Sequence, residues 1–264
     1  MEWWWAYLAL GAFVGFFSGL LGIGGGSAMV PVLAFIFTAE QFAPAYVVHL
    51  ALGTGMATIL FTSASSVRSH HQHRAVNWRI MRSMVPGVVI GTLAGVLLAS
   101  HLDARALSVA FTVLVYYLAT QLLLDARPAA LRSLPGNTGM WLAGGIIGAL
   151  SSLAAIAGAS LTVPFLVKRN VGVHEAIGTA AAVGWPLAAA GTVGYIVSGL
   201  AKPGLPEFSV GFIYVPALIW IVIASMLMAP VGARIAHRTP GKTLRRIFAI
   251  LLYILATRML ISFF

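Results

Sequence analysis

The residue types most able to do chemistry gather in a glycine run, Gly24, Gly25 and Gly26, followed by Ser27 and then Pro31. Glycines let a ligand approach the backbone closely. A helix beginning after such a turn offers unpaired N–H groups and the positive end of its dipole, which together hold an anion without a fixed cation. Ser27 can cap that helix or donate to the anion, and Pro31, which has no N–H, is tolerated near a first turn. The same order of residue types returns at Gly158, Ser160 and Pro164. The competing explanation is that these glycines serve only close helix packing. His49 and His174 each begin an apolar stretch, with Thr54 and Thr179 five residues further on. Both threonines are read as substrate-binding. The two histidines can carry a co-transported proton or hydrogen-bond the substrate; the plainer reading makes them interfacial helix caps, and Glu175 either orients His174 or is solvated. His70, His71 and His73 invite a metal reading, but they sit among Arg68 and Arg74 with no carboxylate, so a solvated basic loop is expected and no metal site.

These residues must be positioned by elements suited to hydrocarbon. Charged residues make up 8% of the 264, against about 25% in a soluble domain. Hydrophobic residues reach 60% and mean hydropathy is +0.95, which implies an all-α polytopic membrane protein. The absence of cysteine excludes disulfides, thiolate metal sites and a cysteine nucleophile. The net charge of +10 falls in short loops between apolar runs, so it reads as a topology signal and not as a nucleic-acid face. Trp3, Trp4 and Trp5 suit a membrane interface, and the N-terminal stretch lacks the basic start of a secretory signal, so it is expected in the mature protein.

Segments free of Lys, Arg, Asp and Glu run over 3–39, 41–67, 83–102, 106–124, 133–167, 176–201, 208–233 and 247–264, the last broken once by Arg258. Six match the roughly 20 residues of one crossing, while the first and fifth are too long and contain the Gly/Ala-rich breaks. The residues 15–31 overlay 148–164 with 8 identities in 17. VHLALGT at 48–54 overlays VHEAIGT at 173–179, and Tyr-x-Leu-Ala-Thr recurs at 116–120 and 253–257. The chain therefore reads as a first transmembrane repeat at 1–126, a connecting loop at 127–137, where Pro128, Pro135 and Gly136 lie, and a second repeat at 138–264. If every block crossed once, Lys and Arg would divide evenly between the two faces. If the long blocks are re-entrant hairpins, each half crosses three times, the halves become inverted, and the split is 13 inside to 3 outside. Inverted repeats with interrupted helices are the architecture of secondary transporters, with the substrate near the midplane.

The duplicated GFFSGLLGIGGGSAMVP at 15–31, with HLALGT after it, resembles the TauE/SafE sulfite exporter family, also called the toluenesulfonate uptake permease family. The resemblance spans nearly the whole chain. It implies a multi-pass carrier of the bacterial or archaeal cytoplasmic membrane, moving sulfite, sulfoacetate or another organosulfonate. In the second half the glycines become Ala155, Ala157 and Ala159 around Gly158, which narrows backbone access there. No Asp or Glu lies inside any apolar block, which disfavours a carboxylate cation site and suits anion transport. Catalytic residues and cofactors are expected to be absent, since no nucleophile elbow and no oriented base accompany His49 and Ser27. The alternatives are a passive anion channel and, behind it, an intramembrane enzyme. The expected partners are a small anion and the lipid bilayer, with homo-oligomerisation left open. Trp185-Pro186 is expected to kink its helix, and Tyr116 and Tyr253 are symmetric core or pore positions.

Overall fold

In the computed structural model, which describes residues 3–21, 26–124, 133–236 and 241–263, the chain is almost entirely helical. The first half gives α1 (Trp4–Leu21), α2 (Gly26–Ala39), α3 (Val47–Gln72), α4 (Trp78–His101) and α5 (Ala104–Leu124). The second gives α6 (Asn137–Ala154), α7 (Ala159–Lys168), α8 (Val173–Leu200), α9 (Val215–Ala236) and α10 (Gly241–Ser262). A two-residue antiparallel hairpin, β1 (Ser209–Val210) and β2 (Ile213–Tyr214), lies between α8 and α9. Both long apolar blocks are broken at matching places: α1 and α6 end at Leu21 and Ala154, and α2 and α7 begin at Gly26 and Ala159. Pro31 and Pro164 fall inside α2 and α7, in each case four residues beyond the repeated serine, so the Ser27 and Ser160 carbonyls receive no helical N–H from them.

Among the described residues five helices, α3, α4, α5, α8 and α9, are long and apolar enough to cross a membrane. The sixth expected crossing, α10, contains Lys242, Arg245, Arg246 and Arg258 and does not qualify on composition. At 10 residues, α7 spans about 15 Å, half of a hydrocarbon core. Helix directions follow from side-chain neighbours. Tyr7 Oη donates to Glu40 Oε2 at 2.6 Å, joining the start of α1 to the residue after α2, so these two helices run in opposite directions. Gly53 packs on Tyr195 while Gly191 packs on Met56, so α3 and α8 cross antiparallel.

Small residues make the closest contacts. Gly87, Gly91 and Gly95 of α4 lie against Trp141, Gly145 and Ala149 of α6, and Gly11 and Gly15 of α1 lie against Ile221 and Ser225 of α9. A Cβ at any of these glycines would meet backbone atoms across the interface, the small-residue packing expected where lipid offers no hydrophobic drive between helices. Helices α5 and α10 meet through a reciprocal pair: Tyr116 Oη reaches Thr257 Oγ1, and Tyr253 Oη reaches Thr120 Oγ1. Each threonine hydroxyl donates to the backbone of a tyrosine one turn earlier, so each phenol is the donor in its pair. The repeated Tyr-x-Leu-Ala-Thr is therefore a helix–helix lock, the core role of the two expected for these tyrosines. Apolar side chains such as Ile90, Leu97, Val113, Leu142, Val197 and Leu227 are exposed on the outer surface, as a lipid-facing belt requires. Trp185 belongs to that belt, being 46% exposed, and does not line a path.

The expected basic loop around the three histidines is instead mostly helix. His70 and His71 form the last turn of α3, because the helix continues through the hydroxyl-rich stretch 62–69 before Arg74 turns the chain with a positive φ. The three imidazoles separate: His70 is half-buried, His71 packs edge-on against Trp78, and His73 Nδ1 lies 2.8 Å from the Ser69 carbonyl.

Candidate functional site

The two breaks meet. A Cβ added to Gly26, the first residue of α2, would run into the Ala155 carbonyl and the Ile59 side chain, so only glycine lets the start of α2 rest on the second break. Ala155 itself is left-handed, with φ 44° and ψ 45°, and with Ile156 it closes α6 by two N–H bonds to the Ser151 carbonyl. Gly158 then precedes α7, facing Gly184 of α8 at ordinary van der Waals distance. A cavity of about 390 Å³ lies at this junction, lined by Gly26 from the first break and Ala157, Gly158 and Ala159 from the second. The N-terminal ends of α2 and α7 therefore both border one space.

A further wall of that cavity comes from α3, where Thr58, Thr62, Ser65, Ser66, Ser69 and His70 recur at three- and four-residue intervals and share one face. Thr58 and Thr62 donate their hydroxyls to carbonyls one turn back, so the donors this face keeps for a ligand are the Ser65, Ser66 and Ser69 hydroxyls. This stripe went unremarked in the sequence because short hydroxyl side chains barely lower a hydropathy average; their helical spacing was the available signal. Ser18 and Ser225 add hydroxyls from α1 and α9, and no Asp or Glu among the described residues lines the cavity.

Other expected site residues lie apart from it. Gly24 and Gly25 are outside the described residues. Ser27 is 5% exposed and Pro31 is buried; Ser160 and Pro164 are half-buried on α7, and none of the four borders the cavity. Thr54 and Thr179 are fully buried and spoken for by backbone: Thr54 Oγ1 accepts the Tyr214 N–H at 3.0 Å, and Thr179 Oγ1 accepts the Asn77 N–H at 2.9 Å. Tyr214 and Asn77 are the residues preceding α9 and α4, so the two threonines are matched pins that fix where those helices begin. The structure thus gives them a positioning role, and neither borders the cavity.

The two histidines also part company. His49 is 3% exposed, with Nε2 3.0 Å from the Ala99 carbonyl. A carbonyl only accepts, so Nε2 carries the proton; Nδ1 finds no hydrogen-bond partner among the described residues. Phe212, at the tip of the β1–β2 hairpin, stacks on the imidazole with ring centroids 5.0 Å apart, and Tyr46 closes its edge. His174 is exposed and lines a second, wider cavity of about 1020 Å³, together with His70, His73, Arg74, Asn77 and Glu175. Glu175 accepts from the Asn77 side-chain amide, whose oxygen caps α4 through the Arg79 and Ile80 N–H groups, so it orients Asn77 and not His174. Ser69, His70 and Ile177 belong to both cavities, which therefore adjoin.

No group of three or more potential metal ligands occurs among the described residues. What remains is a hydroxyl- and amide-lined space between two helix starts, reached past imidazoles and one guanidinium. Such donors suit an oxyanion.

A family model described as sulfite exporter TauE/SafE matches residues 7–259. A "Probable membrane transporter protein" of Haemophilus influenzae is 34% identical over 97% of this chain and 97% of its own length. "Probable membrane transporter protein MJ0441" of Methanocaldococcus jannaschii is 24% identical over 96% of this chain and 94% of its own. "Probable inner membrane transporter protein TsaS" of Comamonas testosteroni is 27% identical over 76% of this chain and 79% of its own. No solved structure matches.

Proposed function

Because the chain belongs to the sulfite exporter TauE/SafE family, whose similar members are probable membrane transporters, we propose that it is a secondary carrier of a small sulfur oxyanion or organosulfonate. The observation that carries this reading is the single cavity onto which the starts of α2 and α7 both open, because two converging helix dipoles favour a negative ligand in a space without carboxylates. Gly26, Gly158 and the Ser65, Ser66 and Ser69 hydroxyls of α3 are the contacts we assign to the anion. Ser27 and Ser160, each one residue beyond the start of its helix, hold the first turns that aim those N–H groups.

The two halves, 1–126 and 138–264, act in this reading as inverted repeats, with α1–α2 and α6–α7 as re-entrant hairpins. The antiparallel crossing of α3 and α8, the reciprocal Tyr–Thr lock of α5 and α10, and the matched threonine pins support it. The face bearing residues 73–77 would then be cytoplasmic by its arginines. That face is open through the wide cavity, while the opposite end is sealed at His49, an arrangement alternating access requires of one of its states.

The test is counterflow in proteoliposomes loaded with sulfite, sulfoacetate, an aromatic sulfonate or acetate. Saturable exchange of at least one sulfur anion, abolished by Ser27→Leu in a protein that still purifies folded, is the expected result. Flux that rises linearly with gradient assigns a channel instead, and exchange of acetate alone removes the substrate class.

A further inference from the structure

His70 is the only titratable side chain bordering both cavities among the described residues. It stands one helical turn beyond Ser66, at the end of the hydroxyl stripe, where the wide opening narrows toward the breaks. The other charged or titratable groups facing that opening are His73 and Arg74 at the end of α3, and His174 and Glu175 at the start of α8; α4 brings Trp78 and no charge to the lining. Glu175 is occupied by Asn77. In the second repeat the position equivalent to His70 is Tyr195, fully buried and donating to the Ser152 carbonyl at 3.0 Å, so the imidazole is a departure from the repeat and is not demanded by packing.

We propose that His70 is an anion-binding residue at the neck of the transport path, taking a small oxyanion from the wide cavity and passing it to the α3 hydroxyls and the helix starts. The proposal rests on the transport reading above. Its chemistry needs no covalent step: a neutral imidazole offers one N–H to the anion, and an imidazolium offers two together with a full positive charge. The site therefore favours the anion more strongly as pH falls through the imidazole range, and His70 alone of the surrounding groups sits where an anion must pass between the two spaces.

The test measures KM for counterflow of sulfoacetate and of an aromatic sulfonate, whose charges stay fixed, from about pH 5.5 to about pH 8, the interval over which a histidine changes charge. Wild-type protein, His70→Gln, His70→Arg, His73→Gln, His174→Gln and the control His71→Gln, whose imidazole packs on Trp78 and borders neither cavity, are compared, each first shown to melt cooperatively in detergent. The wild-type KM is expected to rise with pH. His70→Gln should hold a KM raised about tenfold over the low-pH wild-type value at every pH, the loss of one charge-assisted hydrogen bond. His70→Arg should keep a low KM with no pH dependence, and the His71→Gln control should retain the wild-type profile. A His70→Gln protein with the wild-type KM and pH profile overturns the neck assignment while leaving transport intact, as does transfer of the pH dependence to His73 or His174. A wild-type protein with no sulfur-anion exchange at all overturns the transport reading itself.

Discussion

The two ends of the helix pair α3 and α8 are built on one plan and finished differently. At one end Thr54 of α3 holds the residue before α9, and His49 lies one turn away; at the other, Thr179 of α8 holds the residue before α4, and His174 lies one turn away. The pins match in partner and distance. What differs is the connection above each. Residues 201–214 between α8 and α9 are long enough to fold a β-hairpin and drive Phe212 down onto His49, whereas residues 73–77 between α3 and α4 turn tightly and leave His174 at the rim of an open space. The helices diverge in the same sense. Setting His49 against His174, the cavity-lining Thr62, Ser66 and Ser69 fall opposite Leu187, Gly191 and Gly194. The repeated residues pin one half to the other, and the cavities lie where the two halves stop resembling each other.

The sharpest way to break this comparison lies at Gly26 and Gly158, the glycines of the two breaks that border the cavity. Gly26→Ala places a methyl against the Ala155 carbonyl, a backbone atom that cannot step aside without moving the second break. Gly158→Ala meets Gly184 and the Leu187 side chain at 3.4 and 3.5 Å, which is ordinary contact. Counterflow is expected to fall at least about a hundredfold in Gly26→Ala, with a destabilisation of about 1–3 kcal/mol from overpacking, and to stay within about threefold of wild type in Gly158→Ala. Equal losses in the two variants would mean that the breaks are functionally equivalent and that the apparent asymmetry of their packing has no consequence.

A second measurement addresses the sealed and open ends directly, and the absence of native cysteine makes it clean. Single His49→Cys and His174→Cys variants, treated with a membrane-impermeant thiol reagent, should differ in labelling rate by at least about tenfold, with His174→Cys the faster and reactive from the face bearing residues 73–77. Phe212→Ala combined with His49→Cys should raise labelling from the opposite face, because it removes the ring stacked on that position. Comparable labelling of the two single variants would show that the seal over His49 opens freely.

Much of this frame was legible in the residues. The excess length of the first and fifth apolar blocks, together with the repeated Gly/Ser/Pro order, located both interruptions, and α1, α2, α6 and α7 end and begin at matching positions around them. The chemistry of the candidate site was less legible for a physical reason. Thr54 and Thr179 were visible as a repeated pair, but their partners lie more than a hundred residues away in sequence and are backbone N–H groups, which no side-chain pattern marks. The α3 stripe was hidden by the opposite cause: its members are adjacent and small, and a Thr- or Ser-rich helix remains apolar on average. His70 was lost among its neighbours, because only the continuation of α3 to Gln72 separates it from His71 and His73.

The smallest expected effect tests whether the second break is held under strain. Ala155 adopts φ 44°, a region costing an L-residue roughly 1–2 kcal/mol, and in the first repeat the equivalent position is Gly22. The alanine methyl lies in the buried core, so removing it gives up a little packing around Gly55 of α3. Relief of the backbone should outweigh that loss, and Ala155→Gly is expected to raise thermal stability by about 1 kcal/mol or slightly less. The same substitution leaves the Ala155 carbonyl, against which Gly26 rests, but frees its torsions. If a rigid second break is what presents α7 to the anion, the stabilised variant should transport more slowly than wild type by a few-fold, a gain in stability with a loss of function. If it is both more stable and equally fast, the alanine serves packing alone, and the strain at this turn has no part in holding the site.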